Sequence, residues 1–201
     1  PKNDCFVLIF FRRVYIHLIL DESFVDFSEK SVENTLLKNE VLETYPHLTV
    51  IKSISKSYGV PGLRLGIAAS SDKEIISYLR KNMAIWNINS FAEFYLQIYS
   101  KYNNDYQNAC KKFIAERQRF FEVLQQVDFL RVIPSQANYF LCEVTSRFSS
   151  TKLVSLLLEH NLLLKDCSTK TGFDGRNYIR IAIRDTEDNN YLAENLKKLQ
   201  A

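Results

Sequence analysis

The sequence contains few of the residues that build metal sites or disulfide frameworks. It has four cysteines and three histidines among 201 residues. The cysteines are scattered, no C-x-x-C pattern occurs, and no histidine has a second ligand at metal spacing, so the sequence predicts no metal site. Scattered cysteines in a chain of this size favour a reducing compartment, and we expect a cytoplasmic protein.

Long apolar segments and a dominant charge are also absent. The apolar run at 6–20 is interrupted by Arg12 and Arg13, so it falls short of the roughly 20 apolar residues that cross a bilayer. The basic pair inside the run, with no small-residue cleavage site after it, also argues against a signal peptide. The chain has 26 basic and 23 acidic residues, a net charge of +3. This balance predicts neither a nucleic-acid partner nor a membrane partner.

The hydrophobic pattern predicts a mixed α/β chain, since 46% of the residues are apolar and can form a core. Apolar, β-branched runs predict strands at 14–20, 48–55 and 63–70. Helical spacing is found at 28–44, at 72–81 after a cap at Asp72, and from a capping box at Ser90 to about residue 126, with a break indicated near Asn103 and Asn104. Short strands and helices alternate in the remainder, as in a compact α+β unit. We therefore expect three parts, at 1–89, 90–127 and 128–201.

Glycine is scarce, yet three of the five glycines lie in one segment, SISKSYGVPGLRLG, from Ser53 to Gly66. Lys56 follows Ser53 and Ser55 where a predicted strand ends, and Arg64 comes after it. Glycines allow close backbone approach, and hydroxyl, amide and guanidinium groups suit a phosphate. The spacing matches neither a P-loop nor the G-x-G-x-x-G dinucleotide pattern. From these residues alone, a turn with a surface lysine is an equally good interpretation.

This segment resembles the cofactor-lysine motif of the fold type I, class I/II pyridoxal-phosphate (PLP) aminotransferases. The nearest branch contains histidinol-phosphate aminotransferases and threonine-phosphate decarboxylases. The resemblance implies that Lys56 is the catalytic residue that binds the cofactor aldehyde, and that Ser53, Ser55 and Arg64 hold the cofactor phosphate. It also implies an α/β fold, the C-terminal part of the fold type I transferases, with a partial large-domain sheet, a long interdomain helix and a small α+β domain.

A second segment, LILDESFVDF, resembles the family strand that ends in an aspartate paired with the pyridine nitrogen, which implies that Asp21 binds the cofactor. A carboxylate there keeps the ring nitrogen protonated, so the ring can accept electrons from Cα. Many aminotransferases have a tyrosine three residues later, whereas this chain has Phe24. The decarboxylase-like branch tolerates phenylalanine there, and LLKDCS at 163–168 also favours that branch. Read alone, an Asp-Glu pair at a strand end is more often a helix cap or a loop anion.

Three further segments resemble the family in the same order. WNINSFAE at 86–93 resembles the link into the long helix, and PSQANYF at 134–140 implies Asn138 as a polar substrate-binding residue. NYIRIAIR at 177–184 resembles the strand whose first arginine, here Arg180, binds the substrate α-carboxylate. A bidentate guanidinium suits that group. Arg184 on the same face is expected to cap the sheet edge or to pair with Asp185.

The resemblance implies a PLP-dependent aminotransferase that moves an amino group between an amino acid, with or without a phosphate group, and a 2-oxo acid. The alternatives are a threonine-phosphate-type decarboxylase and a non-catalytic truncated fragment. The family's N-terminal half, which supplies a glycine-rich phosphate loop and an aromatic group on the pyridine ring, has no counterpart here. We therefore expect part of a homodimeric or larger enzyme that acts on a small amino acid. The 201-residue chain alone should be inactive and prone to self-association.

Overall fold

The computed structural model describes residues 16–173 and 175–200. The chain divides into two compact units, of which the first ends at Cys110 and the second begins at Lys111. The predicted division into three parts remains a prediction. The apolar run at 6–11 and the first two residues of the strand predicted at 14–20 lie outside the described residues.

The first unit is built on a three-stranded sheet. Its strands are β1 (Leu18–Asp21), β2 (Leu48–Ser53) and β3 (Gly66–Ala69). The central strand β2 is parallel to β1 and antiparallel to β3. Leu48 and Val50 face a small core together with Leu42. Because side chains alternate along a strand, Asp21 and its pairing partner Ile51 lie on the opposite face.

Five helices begin in this unit. They are α1 (Ser31–Asn34), α2 (Asn39–Thr44), α3 (Lys73–Asn82), α4 (Ser90–Ile98) and α5 (Asn103–Leu124). The helical spacing at 28–44 corresponds to two separate short helices, α1 and α2. The buried Glu22 carboxylate accepts hydrogen bonds from Thr35 Oγ1 and from Leu36 N, both at 2.6 Å. The backbone at this point therefore bonds a side chain rather than the preceding helical turn.

The helix starts show which caps the sequence identified. Asp72 caps α3 as predicted, because its carboxylate accepts hydrogen bonds from Glu74 N and Ile75 N. The cap of α4 is Asn89 rather than Ser90, since Asn89 Oδ1 accepts a hydrogen bond from Ala92 N at 3.0 Å. Asparagine and serine are comparable N-caps, and here the extended backbone at Asn89 selects the earlier residue.

The second unit has the predicted α+β character. Its strands are β4 (Leu130–Ile133), β5 (Tyr139–Val144), β6 (Lys165–Asp166) and β7 (Tyr178–Ala182). They form an antiparallel sheet in the order β4-β5-β7-β6. Helices α6 (Ser150–Leu158) and α7 (Thr186–Lys198) and the end of α5 cover its apolar face. Among the helices within 16–173 and 175–200, none is long and apolar enough to cross a membrane.

Candidate cofactor site

Asp21 is the last residue of β1, at the carboxyl end of the parallel strand pair. Its carboxylate accepts hydrogen bonds from the Ser23 hydroxyl and, at 2.8 Å, from the Ser23 backbone N–H. These two bonds, with the charge of Lys56, hold the pKa of the Asp21 carboxyl below its usual value, against the opposing effect of burial. Asp21 is therefore ionised at neutral pH, and its side chain is exposed.

Lys56 lies in a tight turn that follows β2. Hydrogen bonds from Tyr58 N to Ile54 O and from Gly59 N to Lys56 O, both 3.2 Å long, close this turn. Gly59 has a φ of +65°, a conformation that glycine adopts without strain. The exposed Lys56 side chain places Nζ 4.4 Å from the ring centre of Phe24. The structure thus brings an amine and an ionised carboxylate to the same end of the sheet.

Of the predicted phosphate-binding residues, Ser53 ends β2, Ser55 lies in the turn itself, and Arg64 lies between a 3₁₀ turn, Pro61–Leu63, and β3. The pairing of β2 with β3 continues beyond Ser53 and Gly66 through a 3.3 Å hydrogen bond from Ile54 N to Leu65 O. This register brings Arg64 across from Ser55. One guanidinium nitrogen of the exposed Arg64 donates to Pro61 O at 3.1 Å, which leaves further N–H donors for an anion.

A cavity of about 450 Å³ lies beside the turn. Its lining includes Lys56, Ser57 and five tyrosines: Tyr58, Tyr95, Tyr99, Tyr102 and Tyr106. The Tyr58 and Tyr106 rings stack with centroids 4.0 Å apart, and the hydroxyls of Tyr58 and Tyr99 lie 3.2 Å apart. Burial is the largest cause that raises the pKa of Tyr58 and of Tyr106, so both remain neutral at physiological pH. The stack supports the turn that carries Lys56.

The two predicted substrate-binding residues, Asn138 and Arg180, belong to the second unit. Asn138 directly precedes β5, and its carbonyl accepts a hydrogen bond from Ile183 N at 3.0 Å. Arg180 is on the exposed face of β7, with its guanidinium carbon 5.1 Å from the ring centre of Tyr139. This guanidinium is accessible to a carboxylate, and the assignment of both residues to substrate binding stays a prediction.

Arg184 has a different partner from the one expected. Its side chain forms an ion pair with Asp188. The Asp185 carboxylate instead caps α7 by accepting a hydrogen bond from Asp188 N at 2.9 Å. One helical turn brings Asp188 back towards Arg184, an arrangement that is set by the start of α7.

Comparison with known proteins identifies the family. The sequence matches the family described as aminotransferase class I and II over residues 5–196. The chain belongs to this family. An L-serine phosphate decarboxylase from Sulfurospirillum multivorans is 34% identical over 186 residues, which cover 90% of this chain and 47% of that protein.

Solved structures of members of the aminotransferase family have the same fold as this chain. The histidinol-phosphate aminotransferase from Clostridium acetobutylicum has a TM-score of 0.88 at 28% identity, and the match covers 100% of this chain and 59% of that chain. The enzyme of the same name from Sinorhizobium meliloti, solved in complex with pyridoxal-5'-phosphate, shows the same fold, with a TM-score of 0.69 at 22% identity over 90% of this chain and 49% of that one.

These comparisons confirm the fold class and the branch expected from the sequence, because histidinol-phosphate aminotransferases and a threonine-phosphate decarboxylase are both among the relatives. The chain spans about half the length of the curated relatives it matches.

Enzymes of the class I and II aminotransferase family depend on PLP, in agreement with the cofactor predicted from the Lys56 motif. The residues of the first unit fit this group chemically. Lys56 offers an accessible amine for the aldehyde, and Asp21 offers an ionised carboxylate for a protonated ring nitrogen. Ser53, Ser55 and Arg64 offer hydroxyl and guanidinium groups for the phosphate.

The sequence analysis did not identify two contacts near this site. Ser23 donates to Asp21 and also accepts a hydrogen bond from Ser53 N at 2.9 Å. A serine two residues after a strand-end aspartate is typical of an Asx turn, which could have identified it. The second contact is the ion pair between Asp26 and Lys52, which are 26 residues apart. No local sequence pattern predicts a pair at this separation.

Proposed function

We propose that this chain supplies the lysine-bearing part of a PLP-dependent enzyme that acts at Cα of a phosphate-bearing amino acid. The observation that carries the proposal is the ionised Asp21 carboxylate at the same end of the sheet as the Lys56 amine. A protonated pyridine nitrogen requires a carboxylate partner and the aldehyde requires a primary amine, and these two residues would supply them.

The residues divide the chemistry between them. Bound PLP supplies an electron sink for the electron pair of a bond broken at Cα. Lys56 Nζ would hold the cofactor and, once the substrate amine has displaced it, would exchange a proton at the substrate carbon. Asp21 keeps the ring nitrogen protonated. Arg180 would bind a substrate carboxylate.

Decarboxylation is the reaction that the site supports best. Phe24 lies against the Lys56 amine where many aminotransferases have a tyrosine hydroxyl, and it offers no hydrogen bond. A relative that is 34% identical is named an L-serine phosphate decarboxylase. Both observations support loss of CO₂ from a phosphorylated amino acid.

Amino transfer, the first expectation from the sequence, is the second candidate. It is supported by the similarity to the histidinol-phosphate aminotransferase from Clostridium acetobutylicum, with its TM-score of 0.88. The two reactions differ in which Cα bond is aligned for cleavage, so their products separate them.

Product analysis of the full-length protein with O-phospho-L-serine and O-phospho-L-threonine tests the proposal. CO₂ release without a 2-oxo acid is expected, whereas formation of a 2-oxo acid that depends on an added acceptor would establish amino transfer instead. Lys56→Ala should abolish either reaction, with Lys73→Ala on an exposed helix as the matched control. Turnover retained in Lys56→Ala would overturn the assignment of the lysine.

We also propose that the enzyme is a cytoplasmic homodimer. Cys110, Cys142 and Cys167 are unpaired, as in a reducing compartment.

The Asp21, Lys56 and Arg64 side chains are all exposed, whereas catalysis of this kind excludes water. We therefore expect the 201-residue chain to be inactive by itself.

A further inference from the structure

A partly buried ion pair lies next to the cofactor site but takes no part in the chemistry described above. Lys52 Nζ and Asp26 Oδ1 are 2.6 Å apart, and the two side chains are only 11% and 15% exposed. Lys52 is the next-to-last residue of β2, and Asp26 lies in a 3₁₀ turn, Val25–Phe27, that follows the Asp21 loop. The pair therefore joins the two segments that carry the charged groups of the site.

The ion pair is on the far side of the sheet from Asp21. Asp21 pairs in register with Ile51, so these two side chains share one face. Lys52 is adjacent to Ile51 in the strand and points to the other face. Lys52 therefore does not share the face on which Asp21 lies, and the pair is placed to act on the Asp21 loop through the backbone.

Two hydrogen bonds hold the first half of the same loop to β2. Glu22 N donates to Ile51 O at 2.8 Å, and Ser53 N donates to Ser23 Oγ at 2.9 Å. The Lys52–Asp26 pair adds a charged contact at the second half of the loop. Phe24, which contacts the Lys56 amine, lies between these attachment points.

The stability of the fold alone does not require an ion pair at this largely enclosed position, so the pair points to a further role. Two apolar side chains of similar volume are often as stabilising as a buried ion pair, whereas a charge-assisted hydrogen bond defines distance and direction. The Asp26 charge also acts on the stacked Tyr58 and Tyr106 beside the lysine turn. Asp26 is therefore paired with β2 and also acts electrostatically on the tyrosines beside the lysine turn.

We propose that Lys52 and Asp26 are positioning residues, which hold the Asp21–Phe27 loop at the distance from the Lys56 turn that cofactor attachment to Lys56 requires. This inference rests on the proposed function, because it presumes that Lys56 is the attachment point. The pair determines where Asp21 and Phe24 lie relative to the Lys56 amine, and it does so without touching the reacting atoms.

The test compares four forms of the 201-residue chain. They are the wild type, Lys52→Met/Asp26→Leu, the conservative Lys52→Arg, and Lys30→Met/Glu33→Gln, which removes the exposed pair Lys30–Glu33 as a control. A single removal would leave a buried charge without its partner, so both charges are replaced together. Thermal unfolding is recorded for each form to separate local from global effects.

Two quantities are measured. Amide hydrogen exchange of Glu22 and Ser53 reports the attachment of the loop in the chain without cofactor. Reductive trapping with PLP and cyanoborohydride, followed by peptide mass mapping, gives the ratio of modification at Lys56 to that at exposed Lys73. The first readout does not depend on cofactor binding.

In Lys52→Met/Asp26→Leu we expect the two amides to exchange about tenfold faster. We expect the Lys56 to Lys73 ratio to fall about tenfold, since small misplacements strongly weaken reactions that depend on geometry. Lys52→Arg and the control should retain the wild-type values. A folded double variant with unchanged exchange and ratio would overturn the inference, as would an equal effect of Lys52→Arg and the apolar replacement.

Two other outcomes are also decisive. If wild-type Lys56 is modified no more than Lys73, the proposed function loses its support in this chain, and hydrogen exchange alone decides whether the pair holds the loop. If the apolar double variant does not fold, Asp26→Glu replaces it, because it keeps both charges and lengthens the acid by one methylene. An unchanged ratio in Asp26→Glu would then contradict the inference.

Discussion

Arg180 presents its guanidinium on the exposed face of β7 and has no acidic partner in register, since its neighbours there are Leu141 and Lys165. In the full-length protein, Arg180→Ala should raise KM for the amino acid roughly 10- to 100-fold, because a charged hydrogen-bonding group is lost. The visible cofactor spectrum should not change. Steady-state kinetics and absorbance measure both.

Arg180→Lys is the matched variant. It keeps the charge and loses the planar two-point contact, so its KM should lie between those of the wild type and Arg180→Ala. Loss of cofactor with an unchanged KM would show that a different arginine binds the carboxylate.

Gly59 provides a second test at the residue scale. Its φ of +65° is unfavourable for any residue with a Cβ, although nothing lies within 4 Å of where that atom would be. Gly59→Ala should lower the free energy of unfolding by ~1 kcal/mol through the backbone alone. Gly62→Ala, at a glycine with equal space and no positive φ, should be neutral or slightly stabilising. Urea unfolding of both variants checks this, and equal effects would contradict the argument.

Between elements, Glu116 connects α5 to the start of α7. Its carboxylate accepts hydrogen bonds from Arg119 at 2.7 and 2.9 Å, from Asn189 Nδ2 at 2.7 Å and from Thr186 Oγ1 at 2.8 Å. The Arg119 hydrogen bond is the largest cause that lowers the pKa of Glu116 to about 2, against the opposing effect of burial. The ionised acid thus stabilises this helix contact.

The lowered pKa of Glu116 sets the direction in which the stability of the chain changes with pH. Because the folded pKa lies below the usual value of 4.5, the stabilisation is complete above that value and is lost as the pH falls towards 2. Glu116→Gln should lower the free energy of unfolding at pH 7 by about 1–2 kcal/mol, a figure reduced for the partial exposure of Arg119. The Glu116→Gln variant should also lose less stability than the wild type between pH 5 and pH 2.

Denaturant unfolding across that pH range measures both effects of Glu116→Gln. Glu122→Gln, on the exposed side of the same helix, is the control and should leave the pH dependence as it is in the wild type. A Glu116→Gln variant with the wild-type pH dependence would exclude this carboxylate as its source.

For the whole molecule, the outstanding surface feature is an apolar segment before and within α4. Ile85, Trp86 and Phe91 are 91%, 90% and 78% exposed. Several large apolar side chains exposed within one short segment are typical of an interaction site. We expect the purified 201-residue chain to self-associate, and Trp86→Lys/Phe91→Lys to weaken that association.

Light scattering after size exclusion gives the mass of each form. The chain contains one tryptophan, so a concentration-dependent blue shift of its fluorescence would report directly on burial of Trp86. Leu163→Lys, which changes an apolar side chain that is 80% exposed in the other unit, should leave the association unchanged. A monodisperse monomer at all concentrations would contradict the prediction.

Much of this organisation could be predicted because its causes are local. The apolar, β-branched run at 48–55 and the strand segment at 177–184 lie within a few residues of the observed ends of β2 and β7, and Asp72 marked the start of α3. The segment around Lys56 indicated the cofactor through its resemblance to the family's cofactor-lysine motif, whereas its residue types alone were equally consistent with a turn and a surface lysine. The same local pattern could not say which of two adjacent polar residues, Asn89 or Ser90, caps α4.

Contacts between residues far apart in sequence were decided only by the tertiary structure. The Glu22 carboxylate separates α1 from α2 by bonding Thr35 and Leu36, and Lys52 pairs with Asp26 behind the sheet. No period or motif encodes either contact, since each depends on how the sheet brings distant residues together. The amino-acid sequence by itself therefore determined the family chemistry and most elements. The folded chain determined the partners that hold Asp21 and Lys56 in place, because distances between non-neighbouring side chains exist only once the backbone has folded.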